Sequence, residues 1–235
     1  AIPDQEFYKG KTIRIIVGVL RPDAGSVVVG GRDIGGLPVS EVARTVGFVF
    51  QNPDEQLFNR SVEREVGFGP RNLRLGPAMT ATLVERALGL TGLDDVRAVN
   101  PYDLGLSVRK LVALASVLAM EPAVLVLDEP TTGQDGPGVA RVGAIVDAYR
   151  DAGRTVIAIT HDMEFAARHF ERIVVMRDGL VVADGPPGDV FAPEQAELLA
   201  STGLEPPPAA RIGARLGLCP TPTPDALVEA LARAR

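Results

Sequence analysis

The 235-residue sequence has a single cysteine and lacks any apolar run long enough to cross a membrane. Cys219 therefore has no partner for an internal disulfide and no companion ligands for a metal site, which fits a reducing cytoplasmic location. A transmembrane helix needs roughly 20 apolar residues, and we find neither such a stretch nor a signal-peptide pattern. We expect any role at a membrane to act through a partner.

An excess of basic residues is also lacking. The formal net charge is −6 at pH 7 and the pI is about 5.1, whereas a protein that binds nucleic-acid phosphates needs a basic face. We therefore expect no nucleic-acid partner. The chain does have 46% hydrophobic residues, which is enough to bury the core of one domain with an inserted or appended part.

The most informative stretch is residues 124–135, which read VLVLDEPTTGQD. The four leading apolar residues predict a strand buried on both faces, as in a parallel sheet covered by helices. Asp128 and Glu129 follow directly, and ligands of open α/β sheets bind outside the carboxyl ends of the strands. The alternative is that Asp-Glu-Pro only terminates a strand. A second β-rich run, residues 155–160, is followed by His161, so two predicted strand ends carry titratable groups.

Apolar periodicity and turn residues predict further elements. They are a hairpin over residues 26–34, a short helix ending at Arg44, a strand over 46–50, helices over 81–88 and 111–120, a hairpin over 173–185, a rigid linker at 206–208 and tail helices over 209–218 and 225–234. Asp178-Gly179 is expected to form the turn of the second hairpin, and Asp225 to cap the last helix.

The run VLVLDEPTTGQD followed by ITHD at residues 159–162 resembles the Walker B, D-loop and switch-histidine motifs of ATP-binding cassette (ABC) ATPases. The resemblance extends over most of the chain, from residue 19 to residue 191. It implies an α/β fold of the P-loop NTPase (RecA-like) class, with an inserted α-helical signature subdomain and a short helical tail. The implied limits are 1–70 and 119–195 for the two parts of the core, 71–118 for the helical subdomain and 196–235 for the tail.

Residues 51–58, QNPDEQLF, follow the predicted strand over residues 46–50. Gln51 is either an ordinary loop amide or, by the resemblance, the Q-loop residue that reaches Mg²⁺ and the attacking water and senses the transporter subunit. The segment is similar to that of ATPases in energy-coupling factor (ECF) importers and in their cobalt and nickel relatives. The resemblance therefore implies an ATPase that powers import of a vitamin or a metal ion.

The signature motif departs from the family pattern. The usual Leu-Ser-Gly-Gly-Gln falls on residues 104–108, which read LGLSV, so the double glycine is absent. Our hypothesis is that Ser107 still donates a hydrogen bond to a γ-phosphate, and that Arg109 and Lys110 supply charge in place of the lost backbone amides. The alternative is that Ser107 only caps a helix.

The phosphate loop departs further. Such a loop needs GxxxxGK[ST], in which backbone N–H groups cradle the phosphates, the lysine reaches the β and γ oxygens and the hydroxyl holds Mg²⁺. Only Gly10-Lys11-Thr12 fits, and an ungapped alignment places Lys9 rather than Lys11 at the lysine position. Either the amino end is incomplete or altered, or the subunit is naturally degenerate. We favour the first because the Walker B carboxylates and the switch histidine are retained; the lysines would otherwise be ordinary surface charges.

The mechanism implied by the resemblance uses ATP and Mg²⁺. Two subunits would close on two MgATP molecules, with Asp128 holding Mg²⁺ through water and Glu129 accepting a proton from the attacking water. His161 would contact the γ-phosphate, and Asp135 in the D-loop would connect the two sites. The implied partners are a second ABC ATPase subunit, identical or different, and an integral membrane transporter subunit. The protein would then be peripheral on the inner, cytoplasmic face of the cell membrane.

Two other functions stay open from the sequence. One is a non-hydrolytic structural or regulatory half of a heterodimeric pair, whose amino end cannot hold nucleotide. The other is an ABC protein unconnected with transport, which the QNPDEQLF segment and the presence of a single cassette disfavour. The sequence does not name a transported substrate, because selectivity in such importers belongs to a separate membrane protein.

Overall fold

The computed structural model describes Gly18 and residues 20–234. Within this part the chain divides into two compact units, of which the first ends at Ile159 and the second begins at Thr160. The predicted phosphate-loop residues lie outside the described residues.

The described residues of the first unit form two small sheets. Its strands are β1 (Val28–Val29), β2 (Arg32–Asp33), β3 (Val46–Val49), β4 (Val124–Asp128) and β5 (Thr155–Ile159). β1 and β2 pair antiparallel, which confirms the first predicted hairpin. The other three strands form a parallel sheet in the order β3-β4-β5. Leu125, Val126 and Leu127 of the central strand are fully buried, as a strand covered on both faces requires.

Helices occupy the connections between these strands. They are α1 (Val39–Val42), α2 (Val62–Val66), α3 (Phe68–Asn72), α4 (Pro77–Thr91), α5 (Leu106–Leu118) and α6 (Gly136–Asp151). The α4 helix has Pro77 in its first turn and ends at Gly92 in the left-handed conformation, the usual helix start and stop. The α5 helix packs on α4 and on β3. Both predicted helices of this region are confirmed; the limits of a subdomain at residues 71–118 stay a prediction.

The second unit is built on an antiparallel hairpin. Its elements are α7 (Met163–His169), β6 (Ile173–Arg177), β7 (Leu180–Gly185), α8 (Pro187–Val190), α9 (Ala196–Ala200), α10 (Pro208–Arg215) and α11 (Pro224–Arg233). Asp178 and Gly179 both have positive φ, as a two-residue hairpin turn demands, so the predicted turn is confirmed. A buried cluster that includes Val175, Phe191 and Leu199 forms the core of this unit.

Two predictions for the tail were wrong in detail. The side chain that caps α11 belongs to Thr223, whose oxygen accepts from the backbone N–H of Ala226 at 3.3 Å, and not to Asp225. Pro224 occupies the first helical position, where its missing N–H costs nothing, so the cap falls on the preceding residue. For the same reason Pro208, predicted to belong to a linker, is the first residue of α10.

Helix length bears on the membrane question. Among the described residues no helix is long and apolar enough to cross a bilayer. The longest of them, α6, has 16 residues and a mixed face of charged and apolar side chains.

We predict that Gly47→Ala destabilises the first unit. A Cβ at this position of β3 would lie 2.5 Å from Val117 Cγ1 and 2.7 Å from Pro122 Cγ, and neither branched nor cyclic side chain can move aside. The expected loss in the free energy of unfolding is about 1–3 kcal/mol, measured by urea denaturation. Gly89→Ala in α4 is the matched control, because no atom lies within 4 Å of its Cβ position. It should stabilise by about 0.5–1 kcal/mol, and equal effects of the two substitutions would contradict the packing described for β3.

Candidate functional site

The carboxyl ends of β3, β4 and β5 lie at one edge of the first unit's sheet, because the strands are parallel. Asp128 ends β4 and pairs with Ile159, the last residue of β5. Gln51 follows β3 after one residue, and its side chain is exposed. The structure thus brings Gln51, Asp128 and Glu129 to the edge where ligands of such sheets bind.

The backbone of Glu129 is held in an unusual conformation. Its φ is 47°, in the left-handed region, although the residue is not glycine and precedes a proline, which disfavours helical conformations. Its N–H donates to Ile159 O at 2.8 Å, and its carbonyl accepts from the N–H of Thr132 at 3.3 Å. The Thr132 hydroxyl also donates to Glu129 Oε2 at 3.3 Å. The residue is 1% exposed, so its carboxylate is buried, and the bond from the Thr132 hydroxyl orients it.

Lys110, on α5, contacts the same residue. Its ammonium donates to the main-chain carbonyl of Glu129 at 3.0 Å, and the residue is 8% exposed. Burial lowers the pKa of Lys110, and the negative charges of Glu129 and Asp128 oppose this shift. The expectation that Lys110 supplies charge at the signature loop is therefore corrected. Lys110 instead contacts the turn that begins at Glu129, directly after β4. Sequence reasoning missed this contact because the two residues are distant along the chain.

Ser107 joins the signature region to the D-loop. It is the second residue of α5, whose amino-terminal cap is Gly105, so the interpretation of Ser107 as a helix cap was wrong. Its hydroxyl lies 2.6 Å from Gln134 Oε1 and 3.0 Å from Asp135 Oδ1. A hydroxyl has one proton, so these two oxygens share a single donor. Asp135 Oδ1 also caps α6 by accepting from the N–H of Gly138 at 2.9 Å.

His161 belongs to the second unit. It is exposed and lies in the short turn between Thr160 and Asp162, just before α7. The N–H of Asp162 donates to Thr160 Oγ1 at 3.0 Å, and Asp162 Oδ1 caps α7 by accepting from the N–H of Phe165 at 3.0 Å. These bonds explain the sharp turn that carries His161, whose role stays a prediction.

The segment after Gln51 is hydrogen-bonded to α5, the helix that follows the signature residues. The amide of Gln56 donates to Ala113 O at 2.7 Å and to Ser116 Oγ at 3.0 Å on α5. Arg109, also expected to supply charge at the signature loop, instead pairs with Asp54 at 3.2 Å. The QNPDEQLF segment is therefore bonded directly to α5 at three points.

A groove of about 420 Å³ opens beside this segment. It is lined by residues of α1, β3, α2, α3 and α5, by residues that closely follow three of these helices, and by the QNPDEQLF segment. The rings of Phe58 and Phe68 pack edge to face at its margin, with centroids 4.7 Å apart. Phe58 is 59% exposed, and together with the exposed ring of Phe68 it forms an apolar surface at the margin of the groove.

Few of the described side chains could hold a metal ion at this edge. Within the described part of the chain, no group of three or more His, Cys, Asp or Glu side chains could hold a metal ion by itself. The half-buried carboxylate of Asp128 suits Mg²⁺, which proteins hold through one or two carboxylates together with nucleotide phosphates. The arrangement therefore fits Mg²⁺ that arrives with nucleotide. Lys9, Lys11 and Thr12, the predicted phosphate ligands, lie outside the described residues.

Comparisons with known proteins agree with this geometry. The family model described as ABC transporter matches residues 9–132. The energy-coupling factor transporter ATP-binding protein EcfA of Methanoculleus marisnigri is 44% identical over 196 residues, which are 83% of this chain and 70% of that protein. An ABC transporter ATP-binding protein of Methanosarcina acetivorans is 41% identical over 197 residues, 84% of this chain. The chain spans only 32% of the length of that relative.

A solved structure gives the same result. The structure of cbiO1 from Clostridium perfringens, part of the ABC transporter complex cbiONQ, matches with a TM-score of 0.74 and 31% identity, covering 92% of this chain and 86% of that chain. The predicted P-loop NTPase fold is thereby confirmed. The matched fold, the family match over more than half of the sequence and the EcfA relative show that the chain belongs to the ABC transporter family, among its ATP-binding proteins.

Proposed function

We propose that the chain is the ATP-binding and ATP-hydrolysing subunit of an ECF-type or metal-ion ABC importer. The observation that carries the proposal is the buried carboxylate of Glu129, directly after Asp128 at the sheet edge. The backbone of Glu129 is held there by hydrogen bonds to Ile159 and Thr132. A relative that is 44% identical is named an energy-coupling factor transporter ATP-binding protein. The comparisons give no support to the non-hydrolytic alternative.

Asp128 and Glu129 would divide the chemistry. Asp128 would hold Mg²⁺, which would neutralise charge on the phosphates. Glu129 accepts a proton from the attacking water, a role worth on the order of 10²–10⁴ in rate. Because phosphoryl transfer depends mostly on positioning, a carboxylate that a hydrogen bond orients suits this role.

The remaining predicted residues would bind nucleotide and connect sites. Lys9 or Lys11, with Thr12, holds the phosphates, Gln51 orients the water, and His161 contacts the γ-phosphate. Ser107 donates to the γ-phosphate of a nucleotide on the partner subunit, which requires its hydroxyl to leave Gln134 and Asp135. Asp135 then connects the two sites across the dimer. When Ser107 leaves Asp135, the signature region and the D-loop are released from each other at the same time.

The partners follow from the same proposal. A second ABC ATPase subunit, identical or different, completes each ATP site. The groove beside the QNPDEQLF segment receives an integral membrane subunit, because exposed Phe58 and Phe68 offer an apolar surface and Gln56 joins the segment to α5. The protein is then peripheral on the inner face of the cell membrane, with Mg²⁺ and ATP as cofactors.

We predict that Glu129→Gln abolishes turnover while MgATP stays bound. The amide keeps the size of the side chain but cannot accept the proton, so hydrolysis should fall by about a hundredfold or more. Steady-state phosphate release and equilibrium MgATP binding are the measurements, with the exposed Glu197→Gln as the control of unchanged activity. An unaltered rate of phosphate release in Glu129→Gln would contradict the role of Glu129 as proton acceptor, whereas no phosphate release from the parent would support the scaffold alternative.

We also predict that Phe58→Ser weakens binding of the membrane subunit and leaves MgATP binding unchanged. Loss of a central aromatic anchor costs on the order of 2 kcal/mol, about thirtyfold in Kd. The measurement is the Kd obtained when each purified variant is titrated into the membrane subunit, which is purified separately in detergent. Leu180→Ser, which removes an even more exposed apolar side chain from the second unit, is the control. Equal affinities of the two variants would place the docking surface elsewhere.

A further inference from the structure

The chain has three lysines, Lys9, Lys11 and Lys110, among 24 basic Lys and Arg residues. The first two belong to the phosphate-loop-like segment at the amino end. The third is buried on α5 and reaches the turn that carries the proposed catalytic carboxylate. A buried ammonium is costly unless it is paired with acceptors, so its position calls for a specific function.

The turn that Lys110 reaches is strained. A non-glycine residue in the left-handed region costs on the order of 1–3 kcal/mol and persists only where surrounding bonds determine it. Glu129 has this conformation and precedes Pro130. The N–H of Glu129 donates to the carbonyl of Ile159, while Thr132 and Lys110 both donate to the carbonyl of Glu129.

The three bonds differ in strength and origin. The two from Ile159 and Thr132 are neutral backbone bonds, at 2.8 and 3.3 Å. The bond from Lys110 is charge-assisted, at 3.0 Å, and such bonds are roughly twice as strong as neutral ones. Of the three, it is also the bond that comes from a helix, α5, so it determines where the carbonyl of Glu129 points relative to that helix.

We propose that Lys110 is a positioning residue for the hydrolytic reaction, which holds the backbone of Glu129 so that its carboxylate meets the attacking water. This inference rests on the proposed function of Glu129 as the proton acceptor. Lys110 acts through the carbonyl of Glu129 and touches neither nucleotide nor water in this role. Removal of its ammonium leaves the turn to relax and the carboxylate to change direction.

The test begins with Lys110→Met, which keeps the length of the side chain and removes the donor. In the full chain assembled with its partner subunits, we expect kcat to fall by about tenfold or more, since misplacement by about 1 Å can cost a hundredfold. KM for ATP and the Kd for MgATP should stay within about threefold of the parent. Arg86→Met, which removes an exposed cation paired with Glu121, is the control of unchanged kcat.

A chemical rescue separates positioning from folding. Lys110→Cys is made in a Cys219→Ser background, because Cys219 is the chain's one natural cysteine and is exposed. Alkylation of the denatured chain with 2-bromoethylamine and refolding restores an amine at the position of Nζ. We expect the alkylated protein to recover kcat to within about threefold of the Cys219→Ser parent, and the unalkylated protein to match Lys110→Met.

Three results overturn the inference while leaving the proposed function intact. They are a parental kcat in Lys110→Met, a loss of MgATP affinity as large as the loss of kcat, and failure of the refolded, alkylated protein to recover when the Cys219→Ser parent refolds to full activity. The proposed function itself fails differently: the unmodified chain hydrolyses no ATP, or Glu129→Gln hydrolyses it normally.

Discussion

The central position of β4 between two parallel neighbours is the constraint on which the site depends. Its register places Leu127 opposite Val49 and Asp128 opposite Ile159, so three strands end at the same edge. A slip by one residue would move every side chain of the strand to the other face of the sheet and shift the carboxylates along the strand direction, out of register with the neighbouring strand ends. Complete burial of Leu125 and Leu127 prevents such a slip, because either side chain would lose its packing.

The same strand makes the strain at Glu129 tolerable. A buried carboxylate in the left-handed conformation is unfavourable both for its backbone and for its desolvation. The turn is held because the strand before it is buried and paired on both sides, and because backbone and ammonium donors meet its carbonyl. The sheet and α5 together therefore determine the backbone position of Glu129.

Short-range patterns predicted much of the fold. The apolar run before Asp128 identified β4, and Asp178-Gly179 identified the second hairpin, because each depends on local periodicity or turn geometry. The cap of α11 was misplaced by two residues, since Pro224 competes with Asp225 for the start of the helix. Such boundary errors arise where two local signals disagree.

The site was predicted less completely, because long-range contacts decide it. Residue types at the strand ends identified Asp128 and Glu129, yet nothing local indicates that Lys110 is buried rather than exposed on its helix. The bond between Ser107 and the D-loop joins residues 27 positions apart and is likewise invisible to periodicity. The sequence leaves the register of the phosphate loop open, because Lys9 and Lys11 compete for one position.

Equilibrium binding of MgATP to the purified chain tests the central claim, that this polypeptide holds nucleotide, most directly. Isothermal titration of the parent is compared with Lys9→Ala and Lys11→Ala. The account predicts micromolar binding that one of the two substitutions abolishes, which would also identify the phosphate-loop lysine. Absence of binding up to millimolar MgATP would contradict it, and the ATPase assignment would then hold for the family and not for this chain.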